Sequence, residues 1–227
     1  MIDVKFLQSL PLFSGLPEGA AARVRDAMNE RTLNADDVIF REGDPGNVVY
    51  FVHTGKIKIS RYSLSGQEFI IGVWGPGSPF GLIAALDGGV YPATATALVP
   101  TKVLTLQVSA LQRLSDEIPE LKASLMSQVG LRIRLFQDRV YERDLLDTRG
   151  KLASILITLA RSTGVKTPAG VRVAHGLTQR DLGAMIGARR ETVSRILADF
   201  QKRELVNLDQ TGIIITDLKG LQSLAEV

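Results

Sequence analysis

The sequence predicts an α+β fold in three parts: a small antiparallel β-barrel or jelly roll, a long helix, and a helix-turn-helix followed by a β-hairpin. Three observations carry it. From Thr32 to about Gln107, short apolar runs alternate with glycine. After Pro119, apolar residues recur every three or four positions as far as Leu145. Between Leu177 and Arg203, two short amphipathic helices meet at a glycine. A chain of 227 residues can bury one large core or two modest ones. The expected parts are residues 1–115, 116–147 and 148–227.

Taken in order, residues 5–30 read as a helical entry broken by Pro11 and Pro17, with one helix from Ala20 to Met28. The strands follow as Val38–Phe40, Val48–Val52, Lys56–Tyr62, Phe69–Val73, Ala93–Val99 and Thr101–Val108, with Gly43, Gly46, Gly55, Gly66, Gly75 and Gly77 at the turns. Pro119 opens a helical segment, and 116–147 gives a rod of ~45 Å at 1.5 Å per residue. Leu125, Val129, Ile133, Phe136 and Val140 form its apolar stripe. That stripe can pack on its own barrel or on the same helix of a second subunit, and different faces can do both. A break at Asp147 to Gly150 precedes a helix from Lys151 to Arg161. A polar loop (Thr163–Gly170) and a strand (Val171–Ala174) come next.

Thr178 opens the first helix of the pair as a Thr-x-x-Asp cap with Asp181, and Gly187 ends it. Gly183 is expected where two helices cross closely. In the second helix Val193, Ile196, Leu197 and Phe200 make a buried stripe, which leaves Arg190, Glu191, Ser194 and Arg195 on the opposite face. Arginine can donate a bidentate pair to guanine, and glutamate can accept from cytosine N4. Arg189, Arg190, Lys202 and Arg203 remain to meet the phosphates of double-stranded DNA at the two ends, and Thr178, Gln179 and Arg180 are further expected DNA-binding residues. Residues 148–227 carry twelve basic against seven acidic side chains, so the chain's positive surplus sits in this segment. Val206–Leu208 and Ile213–Thr216 then form a hairpin, and Leu218–Leu224 a closing helical turn or two.

The stretch Arg190-Glu191-Thr192-Val193-Ser194-Arg195 resembles the recognition helix of the Crp/Fnr family of bacterial transcription regulators. ArgGluGlyAspProGly at 41–46, HisThrGlyLys at 53–56 and GlyProGlySerProPheGly at 75–81 resemble the turns of its cyclic-nucleotide-binding β-roll. The resemblance implies a β-roll sensor in 1–115, a dimerisation helix in 116–147 and a winged helix-turn-helix in 148–227. It implies a homodimer on a palindrome with TGA-type half-sites, read by Glu191 and Arg195, with RNA polymerase as a further partner. Ser194 is the residue of the Fnr-like branch. Arg189 stands where the family often has a capping serine, so the helix start is expected to be weakly capped.

In cAMP-binding relatives a Phe-Gly-Glu motif and, about ten residues on, an Arg-Ser/Thr-Ala motif hold the nucleotide. Here the matching phrases are Phe80-Gly81-Leu82 and Tyr91-Pro92-Ala93, so the carboxylate, cation and hydroxyl are gone. A buried phosphate without a cation is costly, and cAMP is not expected. Leu82, Ile83, Tyr91 and Phe136 instead suggest an apolar or aromatic effector, with Arg132 or Arg61 placed to meet a carboxylate, and Gly81, Pro92 and Ala93 complete the expected site. The alternative is that these residues only fill the barrel and the protein is controlled by its abundance.

Zero cysteines exclude disulfides and cysteine-ligated iron–sulfur or zinc sites. Two histidines, His53 and His175, fall in different parts and make no metal centre or metalloenzyme. No Walker loop or Gly-x-Gly-x-x-Gly is present, so an enzyme is not expected. The N-terminus lacks a signal-peptide layout and no apolar run spans a bilayer, which predicts a cytoplasmic protein without a membrane partner. An architectural DNA-binding protein without a signal is the other class.

Overall fold

A computed structural model describes residues 3–173, 176–209 and 212–225, and the long helix without the side chains of 132, 135 and 138–144. In chain order the elements are α1 (Val4–Ser9), α2 (Glu18–Asp26), β1 (Met28–Leu33), β2 (Val38–Phe40), β3 (Val48–Thr54), β4 (Ile57–Tyr62) and β5 (Glu68–Trp74). There follow β6 (Pro79–Phe80), α3 (Leu82–Asp87), β7 (Thr94–Ala97), β8 (Thr101–Gln107), α4 (Val108–Glu117) and α5 (Pro119–Leu145). The last are α6 (Thr148–Thr163), β9 (Val165–Thr167), β10 (Gly170–Val173), α7 (Gln179–Ile186), α8 (Arg190–Lys202), β11 (Val206–Asp209), β12 (Gly212–Ile215) and α9 (Leu218–Ala225). The chain divides into two compact units. One comprises Lys58–Val73 and the residues from Asp138 onward, and the other the remainder up to Gln137.

In the N-terminal unit the sheet order is β1-β8-β3-β6, all antiparallel, with Met28 opposite Leu106 and Tyr50 opposite Phe80. Alternation turns Val49, Phe51, Leu104 and Leu106 inward. Over them lie α1, α2, α4 and the start of α5, through Leu7, Phe13, Val24, Leu111, Leu114, Leu121 and Leu125. The rings of Phe13 and Phe51 meet at 5.0 Å. Each such side chain, fully buried, contributes roughly 1.5–3 kcal/mol. The strands β2 and β7 pair antiparallel.

In the other unit, β4 and β5 form a hairpin that Gly66 turns at a φ of 77°. A sheet of order β11-β12-β10-β9 backs the helices α6 to α9. Asp147 caps α6 by accepting from the Gly150 N–H at 2.8 Å. A Cβ on Gly150 would stand 2.8 Å from the Leu224 carbonyl oxygen, so glycine lets α6 and α9 touch. Among the described residues no helix is long and apolar enough to cross a membrane.

Four details correct the sequence reading. Strand structure begins at Met28 rather than Thr32, because β1 buries only its end residues, Met28 and Leu33, and exposes the polar ones between. Residues 108–117 are a separate helix, α4, so the rod starts at Pro119 and not at 116; Ile118, extended at φ −126°, ends α4. The loop 163–170 contains β9, whose residues pair with β10 although their side chains are mostly exposed. The helix expected from Lys151 begins at Thr148, directly after its Asp147 cap. The end of the strand expected through Ala174, His175, and the wing turn at Gln210 and Thr211 lie outside the described residues.

Candidate nucleic-acid interface and β-roll pocket

Local chemistry builds the helix pair. The Thr178 hydroxyl oxygen accepts from the Asp181 N–H at 3.1 Å, and the Asp181 carboxylate accepts from the Thr178 N–H at 2.7 Å. This reciprocal cap satisfies two donors at the start of α7 and contributes about 1 kcal/mol. Gly187 ends α7 in the left-handed conformation, at a φ of 71°. Gly183 has a different reason from the one the sequence suggests. A Cβ there would lie 2.5 Å from the Ala188 carbonyl oxygen, so the glycine admits the turn's backbone rather than the second helix. Gly183→Val should therefore unseat the turn. We expect a lower melting temperature and loss of DNA binding, read by differential scanning fluorimetry and anisotropy, with Gly183→Ala intermediate.

Helix α8 has two opposed faces. Val193, Ile196, Leu197 and Phe200 are buried, Val193 and Phe200 completely. Arg190, Glu191, Ser194 and Arg195 are exposed, and Glu191 and Arg195 stand one turn apart. Arg189 precedes them with no side-chain cap, as its residue type implies. Thr178, Arg180 and Arg189 are exposed and Gln179 is half-buried, all at the N-terminal ends of α7 and α8. At the other end of α8, Asp199 faces Arg149 at 3.6 Å and Arg203 at 4.0 Å. The wing strand β11 is braced by Arg172, which donates to Asp209 at 2.9 Å. The structure thus exposes Arg190, Glu191, Ser194 and Arg195 on one side of a helix held by its other side.

The effector set is less unified. Gly81, at φ 74°, leads into α3, and a Cβ on it would stand 3.1 Å from the Tyr91 ring and 3.0 Å from the Val48 carbonyl oxygen. Tyr91 is 3% exposed; its ring stacks on Phe40 with centroids 3.7 Å apart. Its hydroxyl donates to the Val48 carbonyl oxygen at 2.7 Å and accepts from the Val48 N–H at 3.1 Å. Burial pushes the Tyr91 phenol far above its ordinary value of 10.0, with the neighbouring Tyr50 adding to the effect. Leu82 and Ala93 are buried, while Ile83, Pro92 and Phe136 are exposed. The side chain of Arg132 lies outside the described residues. Phe40, on which Tyr91 stacks, and Tyr50 and Phe80, which pack against Phe40, were not among the sequence candidates. Their signal was an aromatic on each of three strands, and only the fold joins them.

Along α5, Leu125 is turned into the β-roll core, so little of it remains for a partner. Val129 is half-buried, and Ile133 and Phe136 are 55% and 68% exposed. Met126, 60% exposed, extends the free stripe. The Val140 side chain lies outside the described residues.

A β-roll in one chain with a winged helix-turn-helix whose recognition face is polar and arginine-rich defines a DNA-binding transcription regulator. Comparison with known proteins agrees. Residues 30–117 match the cyclic nucleotide-binding domain, and residues 150–224 match the Crp-like helix-turn-helix domain. A CRP-like cAMP-activated global transcriptional regulator of Mycobacterium tuberculosis is 29% identical over 92% of this chain and 94% of its own. A global nitrogen regulator of Synechococcus elongatus is 30% identical over 78% of this chain and 81% of its own. The structure of FixK2 from Bradyrhizobium japonicum superposes with a TM-score of 0.79 at 22% identity, covering 88% of this chain and 98% of that one. The chain belongs to the Crp/Fnr family of bacterial transcription regulators.

Proposed function

We propose that the protein is a sequence-specific regulator that acts as a homodimer on a palindrome with TGA-containing half-sites. Glu191, Ser194 and Arg195 read the bases, and Thr178, Gln179, Arg180, Arg189 and Arg190 hold the phosphates. The observation that carries this reading is the division of α8, apolar residues buried on one face and Glu191, Ser194 and Arg195 exposed on the other. The stripe on α5 is the dimer seam. Two arrangements of the dimer differ in whether the recognition helices stand about one DNA turn, ~34 Å, apart. RNA polymerase is the further partner, the cytoplasm the location, and the protein is not an enzyme. The β-roll corresponds to residues 1–115, the dimer helix begins at Pro119, and the DNA-binding domain corresponds to 148–227.

The Mycobacterium relative is cAMP-activated. Here Leu82, Tyr91 and Pro92 stand in turn where that nucleotide would need a carboxylate, a cation and a hydroxyl, and the one hydroxyl among them, that of Tyr91, is taken by Val48. Control by another small molecule and control by abundance are the two readings of the β-roll. The buried, doubly paired Tyr91 hydroxyl favours the second. Fluorescence anisotropy at one salt concentration tests the function. A duplex with inverted TGA half-sites should bind at least roughly 10³-fold tighter than a scrambled one. Equal affinities would make the chain an architectural DNA-binding protein instead.

A further inference from the structure

The Gly81 region of the β-roll is built as a binding site is built, and it already holds a ring. Phe40 offers a stacking face, with interplanar angle 15° to Tyr91. Tyr50 and Phe80 stack on each other behind it, centroids 5.1 Å apart. The backbone of Val48 offers one donor and one acceptor, and both go to the Tyr91 hydroxyl. Gly81 lies so close to that ring that a Cβ would stand 3.1 Å from it, tighter than ordinary van der Waals contact. Phe40, Tyr50, Phe80, Gly81, Leu82 and Tyr91 carry no charge, so an anionic ligand would meet no cation among them.

The ring cannot swing aside cheaply, because the segment that carries it is laced to the turn opposite. The Tyr91 N–H donates to the Asp44 carbonyl oxygen at 2.9 Å, and the Gly43 N–H donates to the Tyr91 carbonyl oxygen at 2.9 Å. The Gly46 N–H donates to the Gly89 carbonyl oxygen at 3.2 Å, and the Glu42 N–H to the Thr94 hydroxyl at 3.1 Å. A Cβ on Gly46 would stand 2.8 Å from the Gly89 carbonyl oxygen, so these two segments touch directly. Displacing the ring would break its two hydroxyl bonds and its stacking, and would strain this ladder as well.

We propose that Tyr91 is the permanent occupant of this pocket, that the β-roll is closed to a ligand there, and that DNA binding needs no small-molecule effector. The inference rests on the reading of the chain as a palindrome-binding regulator, and it deepens that reading by naming what fills its sensor. Two arms test it. In the first, protein unfolded in guanidinium, desalted and refolded should bind the TGA palindrome within about twofold of protein never unfolded. In the second, Tyr91→Ala should lower the melting temperature by roughly 10 °C. Millimolar p-cresol, the Tyr91 side chain as a free molecule, should recover at least half of that loss and leave the wild type unmoved.

A refolded protein that loses palindrome binding tenfold, and regains it with the small-molecule fraction removed on desalting, would overturn the proposal. A wild type that p-cresol stabilises as much as the variant would overturn it too, since the pocket would be open. Should Tyr91→Ala fail to fold, Tyr91→Phe serves. It keeps the ring, so p-cresol must not stabilise it, and a response would count against the closed pocket. A protein that never binds the palindrome yet shows the p-cresol pattern would remove the regulator reading and the claim about DNA, while the closed pocket stands.

Discussion

Phe136→Glu should turn the protein into a monomer in sedimentation and lower its affinity for the palindrome by roughly 10²–10⁴-fold. Met126, Ile133 and Phe136 are all more than half exposed on one 27-residue helix, an apolar row of the kind that marks an interaction surface. With Val129 they repeat at spacings of three and four, the spacing of a two-helix seam. At a two-fold seam a glutamate at 136 approaches its own copy, so each dimer would bury two facing carboxylates without partners. Because Phe136 is 68% exposed in the single chain, the variant's own fold should hardly change. A melting curve near that of the wild type, together with a halved mass, is the expected pair of results. A variant that stays dimeric and keeps its palindrome binding would move the interface off this stripe.

Arg195→Ala should cost ~1–3 kcal/mol on the palindrome, roughly 5–150-fold, and relax the preference at the guanine it reads. The arginine is exposed on α8, opposite a face whose Val193 and Phe200 admit no solvent. Its removal therefore leaves the helix in place and takes away only what it offers outward. The salt dependence separates the two roles it could have. If Arg195 bonds to a base, the alanine variant binds random sequence nearly as well as the wild type. If it bonds to a phosphate, the variant weakens on every sequence alike, and the salt slope falls by about one. Equal weakening on the palindrome and on random DNA would reject the base-reading role.

What the sequence shows best is local. The Thr178–Asp181 cap, the Gly187 terminator and the stripe from Val193 to Phe200 each lie within a turn or two of chain, and each has the expected geometry. The apolar stripe of α5 is half legible, because spacing shows that Leu125 and Phe136 are apolar but not that one faces the β-roll and the other solvent. The pocket is the least legible part. Phe40, Tyr50, Phe80 and Tyr91 come from separate stretches of the chain and meet only once the sheets form. Strand β1 hides because its exposed positions are polar, and α4 because it follows β8 without a turn residue to mark the change. A strand-like run to Val108 passes directly into a helix that begins on Val108 itself.

If the protein is a symmetric, sequence-specific DNA reader, an unbiased selection will recover its site. The protein, with no small molecule added, would be used to enrich a random duplex library at near-physiological salt, and the bound pool sequenced. The expected pool holds one inverted repeat, with TGA in each half-site and half-site centres one helical turn apart, about 10–10.5 base pairs or a multiple of it. A pool without two-fold symmetry, or enriched only for bent or A·T-rich DNA, would contradict it.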